Sequence, residues 1–222
     1  IQQCSACGAC ASVCRFGALV AIQGIVQINP ITCKGCGRCV RACPEGVLVE
    51  HPVTAGMVRF FRSGSVDIVQ GQMAIGDIRA TSVIEQAKKS AQENYPDSAW
   101  HIRDCPPGAT CPTVRAVHGA DLCVLVAEPT AFSLHDVKVA AAMLKDLRIP
   151  SALLVNKAGS GTADIDAFAS KAGLPVLARI PWTRALAEYG ARAERCPDNP
   201  DMATAMADLA LGIDALLRKD KA

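Results

Sequence analysis

Eight of the twelve cysteines fall into two copies of one pattern, CxxCxxCxxxC, at Cys4, Cys7, Cys10 and Cys14 and again at Cys33, Cys36, Cys39 and Cys43. This run holds a pair of [4Fe–4S] clusters. Three thiolates two residues apart curl the backbone around one cluster, while the fourth, three residues on, is carried away and reaches the other. The spacing therefore predicts crossed ligation, with Cys4, Cys7, Cys10 and Cys43 on one cluster and Cys33, Cys36, Cys39 and Cys14 on the second. Zinc would want two separated pairs of ligands. A disulfide framework is the other alternative, and it implies a secreted chain, for which the sequence offers no support.

The repeat extends beyond the cysteines. Shifted by 29 positions, Gly8 falls on Gly37, Gly17 on Gly46, Leu19 on Leu48 and Val20 on Val49, which predicts a duplicated loop, helical turn and strand. Pro44 follows Cys43 as in the usual ending of such runs, whereas Arg15 follows Cys14. An alternating stretch from Ile25 to Ile31 precedes the second cysteine set, and the matching stretch before Cys4 is almost absent from a chain that begins at Ile1. The internal symmetry thus leads us to expect a fragment, cut short on its left.

Composition sets outer limits. Half of the 222 residues are apolar, enough for an ordinary core beside a small module, and the formal charge of +2 gives no case for nucleic acid or an acidic membrane face. Aromatic residues make up 4%, few for a base-stacking surface. No apolar run approaches the ~18 residues of a membrane span. Oxygen-labile clusters and reduced thiols point to a cytoplasm, that of an anaerobe or microaerophile. The composition shifts after His51-Pro52, so residues 1–52 are expected to form a 2[4Fe–4S] ferredoxin-type domain and residues 53–222 an α/β domain.

In that second stretch, Met57–Arg62 and Val66–Gln72 flank Ser63-Gly64 and predict a hairpin. Thr81–Gln92 predicts a helix and Trp100–Arg103 a short strand ending at Asp104. Leu122–Ala127 is an unbroken apolar run, expected to be a strand buried on both faces. Ser133 is expected to cap a helix with the stripe Leu134, Val137, Ala141 and Leu144. Ala152–Asn156 and Val176–Ile180 predict further strands, Ile165–Ala172 a helix, and Met202, Met206, Leu209, Ile213 and Leu216 one face of a last helix. Strand and helix alternating in this way imply a mostly parallel sheet covered by helices. Ligands bind such sheets at the carboxyl ends of strands. There the sequence places Asp104-Cys105-Pro106-Pro107-Gly108, Glu128-Pro129-Thr130, Asn156-Lys157 and Pro181-Trp182. A carboxylate ending a strand can hold magnesium through water, and a following glycine lets its N–H approach a phosphate. A rigid proline turn is the plainer reading of the first of these segments.

DCPPGATCP, GADLCVLVAEPTAFSLHDVK and IPSALLVNKAG, in this order, closely resemble the MinD/ParA-type P-loop ATPases that carry an inserted bacterial ferredoxin domain; CRFGAL at Cys14–Leu19 and CPEGVL at Cys43–Leu48 resemble its cluster-end motifs. The resemblance implies a P-loop, MinD-like fold binding ATP and Mg2+, with Asp104 as the magnesium-associated catalytic carboxylate, Gly108 as a γ-phosphate sensor, Asn156 as an adenine contact and Pro181 near the base. It also implies a homodimer or a pair with a paralogue. The family's phosphate loop ending in GK[ST] does not occur here, and the sequence holds no Gly-Lys pair. By the resemblance the loop lies upstream of the ferredoxin insertion, which fits the expected truncation.

Cys105, Cys111, Cys123 and Cys196 share no ligand spacing, and Cys123 in its apolar run is expected to act as a small hydrophobe. His51, His101, His118 and His135 stand alone. Lys34-Gly35 lies between two cluster ligands and is expected to pack around iron, and Arg218–Lys221 complements a helix C-terminus. The resulting expectation is an iron–sulfur protein whose two clusters transfer electrons under an ATPase switch, with an unidentified redox donor and acceptor. The alternatives are a cluster assembly or carrier protein, and a plain electron-transfer module with a docking domain.

Overall fold

The computed structural model describes residues 4–192 and 199–219. Cys196 and Lys221 lie outside them. The chain divides into two compact units, residues 1–101 and 102–222. The composition shift at residue 52 therefore falls inside the first unit.

The duplication governs the start of the first unit. Helical turns α1 (Ala9–Ser12) and α2 (Arg38–Ala42) stand 29 residues apart. Each begins on a glycine in the left-handed region, Gly8 at φ 78° and Gly37 at φ 68°, a conformation that glycine adopts without a Cβ clash. Strands β1 (Leu19–Ile22) and β2 (Ile25–Ile28) pair antiparallel, Leu19 opposite Ile28. The strand expected at Leu48-Val49 does not form. A strand exists through its ladder, and no segment pairs with residues 48–51 among those described.

The predicted hairpin is present as β3 (Gly56–Ser63) and β4 (Val66–Met73), its turn closed between Ser63 and Val66. Arg62 and Asp67 face each other across it, Nε to Oδ1 2.7 Å. Helix α3 (Ala80–Asn94) buries Val83 against Gly56 and Gly71 of the two strands.

In the second unit, α4 (Cys111–Val117) leads to a parallel sheet of three strands in the order β5 (Cys123–Ala127), β6 (Ser151–Ala158), β7 (Val176–Pro181). Between them run α5 (Ala131–Asp146) and α6 (Ile165–Ala172), followed by α7 (Arg184–Ala191) and α8 (Pro200–Lys219). Val137 and Leu144 of α5, Leu125 and Ala127 of β5, and Leu153 and Val155 of β6 share one core with Ile165 and Ala169 of α6. Leu144 and Leu153 are fully buried, each contributing roughly 1.5–3 kcal/mol of transfer free energy. A second core joins Leu154, Ala178, Ile180 and Ala205.

Several expectations need correction. No strand forms over Trp100–Arg103, so Asp104 follows irregular chain. Arg103 instead donates from Nη1 to the carbonyls of Ala116 and His118 at the end of α4, at 3.2 and 3.0 Å. Strand β5 is not buried on both faces: Leu125 and Ala127 are buried on one, whereas Val126 on the other is 58% exposed. Helix α5 is capped by Thr130 rather than Ser133, its hydroxyl accepting from the Ser133 N–H, while the Ser133 hydroxyl accepts from the Glu128 N–H at 2.8 Å. Of the expected face of α8, Met202 and Leu209 pack on the second core beside buried Ala205, whereas Met206 is turned toward solvent. Helices α4 and α7 lacked a long apolar period and went unread.

Candidate functional site

Cys4, Cys7 and Cys10 line one small cavity together with Cys43 from the second motif. Val26, Ile28, Val47 and Leu48 supply apolar walls. Glu45, one residue past the Cys43-Pro44 pair, accepts a hydrogen bond from the Ser5 N–H at 2.9 Å, fastening the second motif's ending beside the first motif's opening. The Ser5 side chain first, and its N–H second, hold the Glu45 carboxyl below its ordinary range. The cavity thus gathers the four cysteines that the spacing assigns to one set.

The local backbone repeats at the same 29-residue shift. The Ala6 N–H donates to Cys4 Sγ at 3.4 Å and the Gly35 N–H to Cys33 Sγ at 3.5 Å. Cys14 is held below its usual thiol range by the N–H of Phe16, against the pull of burial, with those of Ala18, Leu19 and Gly17 adding to it. Cys43 is lowered in the same way by Val47, then Glu45, Leu48 and Gly46. A thiolate, not a thiol, is the metal ligand. Both fourth cysteines thus sit in rings of N–H groups that favour the ligating form. Cys39 is pushed up by burial, and the charges of Cys33 and Cys36 push it the same way, which places these three thiols near one another.

These residues fit an iron–sulfur cube. All eleven described cysteines are free thiols. Among the described residues no three His, Cys, Asp or Glu side chains gather tightly enough for a single ion, whereas four sulfurs spread around a cavity suit a polynuclear cluster. Beside the second cysteine set, Lys34 donates from Nζ to the Ile78 carbonyl at 3.0 Å. Arg79, raised mainly by its ion pair with Asp77, also feels Cys33. Asp77 in turn is lowered to about 2 by Arg79. The roles of Glu45, Ile78 and Arg79 went unread, because contacts 40 or more residues apart leave no spacing signal. The replacement of Phe16 by Glu45 at the 29-residue shift was the available clue to the first.

In the second unit the parallel strands bring Glu128, Asn156-Lys157 and Pro181 to one edge of the sheet. Lys157 Nζ and Glu128 Oε1 lie 2.8 Å apart. The Asn156 side chain accepts from the Lys157 N–H at 3.0 Å, and Lys157 itself has a positive φ of 52°. The chain after β6 folds over the end of β5: a Cβ at Gly161 would stand 2.0 Å from the Pro129 carbonyl oxygen, so only glycine fits. The Trp182 N–H donates to the Ala158 carbonyl at 3.0 Å, which holds Pro181 at this edge. Asp104 is exposed and ends no strand, while Gly108 has a φ of 77° in a turn tied to α4 by the Thr113 hydroxyl, which lies 3.2 and 3.3 Å from the Pro106 and Pro107 carbonyls. Cys105 and Cys123 pack on the core, and burial pushes the Cys123 thiol up to about 11. Cys111 and His135 are exposed.

Residues 3–47 match the 4Fe-4S dicluster domain family. A curated protein of Methanocaldococcus jannaschii, uncharacterized protein MJ0578, is 33% identical over 160 residues, covering 71% of this chain and 55% of that one. A second from the same organism, uncharacterized protein MJ0579, is 27% identical over 92 residues, 41% of this chain and 34% of its own length. The chain thus spans about half or less of these relatives. Among solved structures, the MinD cell division protein of Aquifex aeolicus aligns with a TM-score of 0.50 and 16% identity, covering 61% of each chain. The Pyrococcus furiosus cell division ATPase MinD aligns with a TM-score of 0.50 and 22% identity, over 61% of this chain and 59% of that one. The chain combines a 4Fe-4S dicluster domain with a MinD-type α/β fold. No helix among the described residues is long and apolar enough to cross a membrane.

Proposed function

We propose that this chain belongs to an iron–sulfur protein that transfers electrons through two [4Fe–4S] clusters under the control of a MinD/ParA-like ATPase switch binding ATP and Mg2+. The observation that carries the reading is the cavity that gathers Cys4, Cys7 and Cys10 with Cys43, in a chain that also has the MinD-type fold. When bound, the clusters supply one-electron chemistry. The residues do the rest. The four thiolates of each set bind, the N–H groups after Cys14 and Cys43 favour the thiolate form of those two sulfurs, and the apolar walls of Val26, Ile28, Val47 and Leu48 limit water.

In the second unit Asp104 is proposed to position magnesium as the catalytic carboxylate, Gly108 to sense the terminal phosphate, and Asn156 and Pro181 to contact the base. Two copies of the chain, or the chain and a paralogue, would close around nucleotide, and the closed state would select the redox partner. A boundary at residue 52 between a ferredoxin module and the nucleotide-binding part is proposed with it.

Anaerobically loaded protein should carry about eight iron and eight sulfide per chain. Cys14→Ser should damage the cluster held by Cys33, Cys36 and Cys39, read by electron paramagnetic resonance. Damage confined to the cluster of Cys4, Cys7 and Cys10 would end the crossed assignment. Calorimetry of MgATP against residues 1–222 should show weak binding, since the sequence holds no Gly-Lys phosphate loop to neutralise the triphosphate. A cluster carrier is the second reading, favoured by the exposure of Cys4, Cys7 and Cys36; it predicts iron that passes to an apoprotein under native conditions.

A further inference from the structure

The duplicated motif provides its own control. Each cluster draws on two segments of equal length: residues 4–13 and 43–48 for the first, residues 33–42 and 14–19 for the second. The hydrogen bonds to sulfur match between the two sets, at Cys4 and Cys33 and again at Cys14 and Cys43. The charges do not. The first pair of segments carries one acid, Glu45, and no base; the second carries Lys34, Arg38, Arg41 and Arg15 and no acid. The formal charges are therefore −1 and +4. At the 29-residue shift the five replacements are Ser5 by Lys34, Ala9 by Arg38, Ser12 by Arg41, Pro44 by Arg15, and Glu45 by Phe16, and every one moves charge in the same sense.

We propose that these residues order the two clusters in potential: the cluster of Cys33, Cys36, Cys39 and Cys14 is reduced first and holds the electron, and the cluster of Cys4, Cys7, Cys10 and Cys43 lies lower. This rests on the crossed assignment proposed above. Each site takes one electron from a low-potential donor, gaining one negative charge, and a positive surrounding stabilises the more negative state. The placement of the charges supports the ordering. Arg41 donates from Nη2 to the Cys36 carbonyl at 3.2 Å, Lys34 adjoins Cys33, and the Glu45 carboxylate lines the first cavity.

Other charges near the second set do not cancel the difference. Arg79 is neutralised by Asp77. Glu50 approaches Gly37, its Oε2 3.3 Å from where a Cβ would stand, and offsets one of the four bases. Cys4 and Cys7 are exposed at the first site against Cys36 alone at the second, which works in the opposite direction by letting more water stabilise the reduced state at the first. Solvent also screens each surface charge, so the ordering comes from the sum and not from any one residue.

The test is a redox titration of the full chain with both sites loaded, followed by electron paramagnetic resonance, with dithionite as the one-electron donor. Two steps are expected. Glu45→Gln keeps a carbonyl oxygen for the Ser5 N–H and removes the charge; it should raise only the lower step, about threefold in the reduction equilibrium, or ~28 mV for one electron. Lys34→Gln should lower only the upper step by a similar factor. Glu45→Gln acting on the upper step, or both variants moving both steps equally, would overturn the ordering. Iron and sulfide near eight per chain in each variant shows that the clusters are intact. A loss of iron in the parent protein would instead remove the reading on which the ordering depends.

Discussion

The two units stabilise themselves by different means. In residues 1–101 the buried apolar side chains are few, Cys10, Ala18, Leu19 and Val83 among the described residues, and Ile22, Ile25, Ile28, Phe60 and Phe61 are all at least 46% exposed. In residues 102–222 a sheet and its helices bury Leu125, Val137, Leu144, Leu153, Val155 and Ile165 in one cluster. Small domains that cannot close a core rely on metals or disulfides. The difference predicts that ligand bonds stand in for packing around the cysteine motifs of the first unit, with folding and cluster binding there as one event.

The sharpest way to break this contrast is to remove the iron. Chelation under reducing conditions should abolish amide hydrogen-exchange protection over residues 9–42 while β5, β6 and β7 keep theirs. Retained protection around α1 and α2 after chelation would show that the first unit packs without its clusters. The next largest effect comes from making similar truncations in the two units. Leu153→Ala should cost about 2–5 kcal/mol in urea unfolding of the second unit, with iron content unchanged, whereas Ile22→Ala at a 55% exposed position should cost less than ~0.5 kcal/mol. Equal costs would refute the contrast.

The smallest effect is in pH. Burial raises Cys123 from 9.0 to about 11. The folded state therefore holds its proton where the unfolded state has lost it. Stability is unaffected below pH 9.0, falls as pH rises from there to about 11, and then levels off. Cys123→Ala should remove that alkaline slope in urea midpoints measured across this range, and an unchanged slope would assign it to another group.

Elements with a long period were legible. The hairpin of β3 and β4, the helix Ile165–Ala172 and the strands β6 and β7 could be read because alternation, an apolar stripe or, in β6, an unbroken apolar run records what is buried. Trp100–Arg103 misled, since its apolar residues suggest a strand but a strand requires a partner, and Arg103 is engaged by the end of α4. Thr130 and Ser133 both have capping chemistry; only the backbone could show that the helix starts after Thr130. Of the strand-end residues, Glu128, Asn156 and Pro181 were legible as neighbours because parallel strands end on one side. Asp104 was not, because no ladder fixes its position.

The sequence by itself determined which atoms are available for chemistry and how they divide. Two cysteine runs and a 29-residue repeat specify eight thiols and predict their crossing, since covalent spacing limits which sulfurs can reach one point. The uneven charge of the two sets is likewise written in the chain. Tertiary structure alone decided that Glu45 closes onto Ser5 and that Glu128 meets Lys157. Each of these joins residues far apart in sequence, and such contacts form only when packing and hydrogen bonding over the whole unit outweigh the entropy of closing the loops between them.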